Sequence, residues 1–62
     1  MMNTTLLREK ISAKIAQNPE ILQELRVHNA SEFQNLTNEE LERRVSTKLL
    51  GLLNMTRQDL EV

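Results

Sequence analysis

Leu36-Thr37-Asn38-Glu39-Glu40-Leu41-Glu42-Arg43-Arg44-Val45-Ser46-Thr47-Lys48-Leu49-Leu50-Gly51-Leu52-Leu53-Asn54 is the stretch that decides the fold class of this chain. Its opening has the form of a capping box. The Thr37 side chain can accept from the free backbone N–H of Glu40, and the Glu40 carboxylate can reach back to the N–H of Thr37. Leu41, Val45, Leu49, Leu52 and Leu53 then recur by three and four, within about a third of a helix circumference. Glu39, Glu40 and Glu42 come early and Arg43, Arg44 and Lys48 later, the order a helix dipole selects. The pattern predicts a helix over 38–54.

Working back toward the N-terminus, Asn18-Pro19-Glu20 marks a second helix start. Asn can cap, Pro fits the first turn because its missing N–H would be unpaired there, and Glu20 suits the positive end of the dipole. Ile21, Leu22 and Leu25 give that helix a buried side over 19–28. Leu7, Ile11 and Ile15 step by four through a first helix over 4–17. Between the second and third helices, Ser31 is expected to cap a short turn near 31–36 carrying Phe33 and Leu36. Thr56-Arg57-Gln58-Asp59 repeats the box form and predicts a terminal turn. One Gly and one Pro leave little material for hairpins. The expectation is an all-α single domain over 1–62 with three helices. Its core is Leu7, Ile11, Ile15, Ile21, Leu22, Leu25, Phe33, Leu36, Leu41, Val45, Leu49, Leu52 and Leu53.

A chain of 62 residues has one small core and few staples: no cysteine, one histidine, one aromatic residue. No run approaches a membrane span, and Met1-Met2-Asn3-Thr4-Thr5 lacks the basic start and apolar stretch of a signal peptide. A cytoplasmic location is expected, with no membrane partner. The tripeptides at Asn3, Asn29, Asn35 and Asn54 that match glycosylation acceptors read as helix-end punctuation.

Leu50 falls outside the stripe of the third helix, and Val27 lies off the face of the second. Such apolar surplus marks a protein–protein surface, which predicts association through the third helix. Leu49, Leu50, Leu53, Val27 and Met55 are the interface candidates. The partner is a second copy in a homodimer, or a larger protein. Coverage of Leu50 by the C-terminal tail, through Met55, Leu60 or Val62, is the competing expectation. Leu49-Leu50-Gly51-Leu52-Leu53 also matches the leucine motif by which helices enter apolar grooves.

Candidate chemistry is sparse. No cysteine, Gly-rich elbow or phosphate loop is present to support nucleophilic catalysis or nucleotide binding. Glu20, Glu24 and His28 climb one edge of the second helix, a spacing able to hold a metal. Charge complementarity with the dipole explains the same residues, so no metal and no cofactor is expected. Arg43, Arg44, Lys48 and Arg57 follow the acidic middle of the chain. On a continuous helix Arg44, Lys48 and Gly51 share a face, which makes nucleic-acid binding the alternative reading. Net charge −1 and no stacking aromatic weigh against it. The sequence thus points to a non-catalytic adaptor, inhibitor or accessory subunit presenting an apolar helical surface.

Two local resemblances accompany these patterns. Leu36 to Val45 resembles the opening helix of repressor-type helix-turn-helix domains, which implies a tight turn and a recognition helix next. The leucine stripe instead continues to Leu53. Asn18-Pro19-Glu20-Ile21-Leu22-Gln23-Glu24-Leu25, followed by Leu36-Thr37-x-x-Glu40-Leu41, is similar to leader segments of nitrogen-fixation-cluster precursor peptides. That resemblance implies docking to a peptide-modifying enzyme, and a Cys-, Ser- or Thr-rich core that Met55 to Val62 does not supply.

Overall fold

Each helix begins where a polar side chain satisfies a free backbone donor. In the computed structural model, which describes residues 1–62, Asn3 accepts from the Leu6 N–H at 3.0 Å and starts α1, Thr4–Lys14. Asn18 accepts from the Glu20 N–H at 3.2 Å, and α2 spans Glu20–Leu25. Asn29, not Ser31, accepts from Glu32 and starts α3, Ala30–Gln34. The Thr37/Glu40 box closes in both directions, at 3.1 and 2.8 Å, and opens α4, Asn38–Arg44. Ser46 accepts from the Leu49 N–H at 3.0 Å and opens α5, Thr47–Leu52. A 3₁₀ turn over Arg57–Leu60 closes the chain, and there the Thr56 N–H donates to Asp59 at 2.8 Å.

The architecture is all-α, with five short α-helices where the periodicity predicts three. The expected helix over 4–17 stops at Lys14, that over 19–28 stops at Leu25, and the turn near 31–36 is a helix in its own right. The largest correction concerns 38–54. Val45 is extended (φ −69°, ψ 128°) and Ser46 turns its hydroxyl into a cap, which divides the stretch into α4 and α5. Serine competes with the helical ladder in this way wherever a cap is available. Leu41, Val45 and Leu49 keep a step of four across the break, so spacing alone hides it.

Two helix ends share one device. At Arg26 (φ 60°) the chain turns left-handed, its N–H returns to the Gln23 carbonyl at 3.1 Å, and the Val27 N–H reaches the Leu22 carbonyl at 3.1 Å. At Asn54 (φ 57°) the same pair of bonds joins Asn54 to Gly51 and Met55 to Leu50. These are Schellman closures, which bring the residue after the turn against the helix it ends. They tuck Val27 beside Leu22, and Met55 against Leu50.

The buried set is entirely apolar: Leu7, Ile11, Ile21, Leu25, Phe33, Leu41, Leu49, Leu50, Leu53, Met55 and Leu60. Ile15, Leu36, Val45 and Leu52, expected in the core, pack at its margin and stay half-buried, and Leu22, also expected there, is half-buried. Leu50, Met55 and Leu60 enter instead, because the break at Val45-Ser46 and the closure at Asn54 turn them inward. α2 is the hub, packed against α3, α4 and α5, while α1 packs against α4 and the 3₁₀ turn. The chain ends meet: the Asn3 N–H donates to the Leu60 carbonyl at 2.6 Å, and Met2 bridges Glu61 antiparallel. No helix is long and apolar enough to cross a membrane.

Candidate functional site

Of the interface candidates, Leu49, Leu50, Leu53 and Met55 lie in the chain's own core, and Val27 is half-buried in the closure of α2. The apolar surplus that the sequence suggested is therefore consumed within one chain. The leucine motif at 49–53 is likewise turned inward, with Leu49, Leu50 and Leu53 buried. Met1 and Val62 are the large apolar residues that remain exposed.

The row Glu20, Glu24 and His28 does not survive as a unit. α2 ends at Leu25, and the left-handed turn at Arg26 carries His28 off the row. His28 instead meets Glu32: its backbone N–H donates to the Glu32 carboxylate, and Nδ1 lies 2.8 Å from Oε2. The backbone donor is the first cause holding the Glu32 carboxyl below the usual carboxylate range, with the imidazole second. Glu20 and Glu24 face Lys48, whose Nζ lies 3.2 and 3.7 Å from their carboxylates. The hydrogen bond to Glu20 is the main reason the Lys48 ammonium is held above the usual lysine value. The Ser46 hydroxyl donates to Glu24 at 3.4 Å, so α5 is sewn to α2 along this edge. No cluster of three or more His, Cys, Asp or Glu gathers anywhere in the chain.

The basic residues of the nucleic-acid reading are also dispersed. Arg43 and Arg44 end α4, Lys48 belongs to the α2–α5 seam, and Arg57 lies in the 3₁₀ turn beside Met1, Met2, Leu60 and Glu61. A two-residue extended link, Val45-Ser46, follows α4 rather than the tight turn that the helix-turn-helix resemblance implies, and Lys48 of α5 is paired.

What the fold assembles instead is a corner where the C-terminal ends of α2 and α4 meet. Arg44 Nη1 donates to the Leu25 carbonyl at 3.0 Å and to the Arg26 carbonyl at 3.1 Å. These are terminal carbonyls of α2 that its own ladder leaves free, and a guanidinium there also complements the negative end of the dipole. Arg26, Arg43 and Arg44 together line an open concavity of about 500 Å³ with no apolar residue in its wall. None of the three forms an ion pair; the ion pairs of the chain are those of Lys48 and His28.

Beside it lies a second concavity of about 260 Å³, lined by Arg26, Val27, Glu32, Asn35, Leu36, Glu40 and Arg44. Glu40 is held below the usual carboxylate range first by the Thr37 N–H, then by the Thr37 hydroxyl, and more weakly by the fields of Arg44 and Arg43. Of the carboxylates in this concavity, Glu40 is engaged in the Thr37 cap and Glu32 by His28.

No protein-family model, curated protein or solved structure matches the chain. The site rests on its own geometry.

Sequence reading identified Arg43 and Arg44 but missed Arg26. Nothing in the spacing links position 26 to 43 and 44. The one local signal is an arginine where a left-handed turn would favour Gly or Asn, and that becomes visible only once the helix end is located.

Proposed function

We propose that the chain is a small, non-catalytic interaction module that presents the corner Arg26, Arg43 and Arg44 to an anionic segment of a partner protein. The observation that carries this reading is that three arginines line one open concavity and none of them forms an ion pair. Like charges brought together repel, and a bound anion relieves that repulsion while accepting paired N–H bonds from planar guanidinium forks. Arg44 is held by two backbone carbonyls, so part of the ordering cost of binding is met in the free protein. The non-catalytic part of the proposal draws on the shifted titrating groups. Glu32 owes its shift to His28, Glu40 to the Thr37 cap and Lys48 to the α2–α5 seam.

With the leucines of α5 inside the chain, the module is read as a monomer. Light scattering across roughly a hundredfold dilution is expected to return a mass of 7.2 kDa throughout. Titration with a glutamate-rich peptide, followed by NMR, is expected to move the signals of Arg26, Arg43 and Arg44. A mass of twice 7.2 kDa would reinstate association through an apolar face. Shifts centred on Arg57 or Lys48 would reject the corner.

A further inference from the structure

Resting on that reading, we infer that the corner is a recognition site for a phosphoryl group carried on a protein segment. A phosphoryl dianion concentrates nearly two charges and three acceptor oxygens in a small volume, and clustered guanidinium groups are the side chains best matched to it. The three arginines supply that match around one open concavity.

The surroundings distinguish a phosphorylated segment from a nucleic acid. A nucleic-acid backbone repeats its phosphates, and a protein that follows it needs a track of bases. Here Glu32 and Glu40 stand in the adjoining concavity, Lys48 is paired across the seam, and Arg57 lies in the 3₁₀ turn at the chain ends. A second phosphate beside the first would meet carboxylates. The adjoining concavity shares Arg26 and Arg44 with the corner, and offers the half-buried Val27 and Leu36 together with Asn35. That is a surface for an apolar side chain next to the phosphorylated residue, with Glu32 and Glu40 placed to favour a basic one. A free phosphate ion would use none of it.

Arg26 adds an independent mark. A non-glycine residue at φ 60° is strained, and the same closure at the end of α5 uses asparagine, which tolerates that region better. Sequence chemistry that accepts strain at a position with a free guanidinium accords with a binding role.

The test is a fluorescence titration of the full chain with a peptide holding one phosphoserine followed by leucine and lysine. The comparison ligands are the unphosphorylated peptide, a peptide with glutamate at that position, inorganic phosphate, and a single-stranded oligonucleotide. The phosphopeptide is expected to bind at least about tenfold more tightly than any of these. Arg43→Gln, at an exposed residue with no hydrogen bond of its own, is expected to weaken it by about tenfold, with Arg43→Lys recovering only part. Lys48→Gln and Arg57→Gln are expected to leave it unchanged.

Equal binding of the glutamate peptide would overturn the phosphoryl inference and leave the anionic-segment reading standing. Equal binding of inorganic phosphate would overturn a protein-borne source. Preference for the oligonucleotide, with affinity falling steeply in salt, would replace both with the nucleic-acid alternative. Absence of binding by every ligand, or a phosphopeptide affinity that Arg43→Gln leaves intact, would reject the site.

Discussion

Two regions join α2 to the α4–α5 pair, and they are built on opposite terms. Along the α2–α5 seam Lys48 meets Glu20 and Glu24, and Ser46 meets Glu24, so each charge has its counterpart. At the C-terminal corner, Arg44 is held only by carbonyls, and Arg26 and Arg43 form no ion pair at all. The seam pairs its charges within the chain, whereas the arginines of the corner form no ion pair and feel Glu32 and Glu40 only at a distance. The difference is between charge that ties two helices together and charge that ties a side chain to a helix end.

The comparison breaks first if the core beneath it is removed. Leu50 belongs to α5 and is 3% exposed, so Leu50→Glu is expected to cost about 4 kcal/mol or more and to yield unfolded chain by circular dichroism. A well-folded variant whose only change is loss of a dimer would show Leu50 to be an interface residue after all.

Arg44→Leu comes next. It strips the terminal carbonyls of α2 of their donor and is expected to cost about 1–2 kcal/mol in urea unfolding. An unchanged midpoint would mean that Arg44 holds nothing.

Arg26→Gly is expected to act in the opposite direction, stabilising by about 0.5–1 kcal/mol through relief of the left-handed strain, while ligand binding is lost. Gly51→Ala, where a Cβ would meet nothing within 4 Å, is expected to add a similar amount, about 0.5–1 kcal/mol, without altering binding. A binding loss from Gly51→Ala would extend the site onto α5 and blur the contrast.

The smallest effect concerns pH. Lys48 has a folded-state pKa above the usual lysine value, so its contribution is full below that value and is lost as pH rises through the folded pKa. Glu40 and Glu32 are lowered, so theirs is full above the ordinary carboxylate range and is lost as pH falls through their folded pKa values. Lys48→Gln is expected to flatten the alkaline limb of the stability profile and leave the acidic limb in place. An alkaline limb that persists in Lys48→Gln would assign it elsewhere.

Much of the local structure is legible without the fold. The Thr37/Glu40 box, the Asn18-Pro19 start and the turn at Thr56 all appear where the residues predict them, because a cap is a conversation between neighbours in sequence. The core positions Leu7, Ile11, Ile21, Leu25, Leu41 and Leu49 follow from steps of four for the same reason. Ser46 defeats the reading. A serine inside a leucine stripe is compatible with a helix, and what favours the cap is the packing of α5 on α2 that follows the break. Leu50 and Met55, which the sequence leaves between an interface and a core covered by the C-terminal tail, are buried, with Leu60 and not Val62 beside them in the core: their burial depends on a left-handed turn at Asn54 that helical periodicity does not register.

The sequence by itself determined that the chain is helical, where most helices begin, and that Leu7, Ile11, Ile21, Leu25, Leu41 and Leu49 lie at the centre, since these depend on interactions over three or four residues. The tertiary structure alone decided that α4 and α5 are separate, that the apparent surplus of leucine is core, and that Arg26 meets Arg43 and Arg44. The physical reason is range. Positions 26 and 43–44 are brought together by the packing of α2 against α4 and by hydrogen bonds from Arg44 to the carbonyls of Leu25 and Arg26, a closure that no periodicity along the chain encodes.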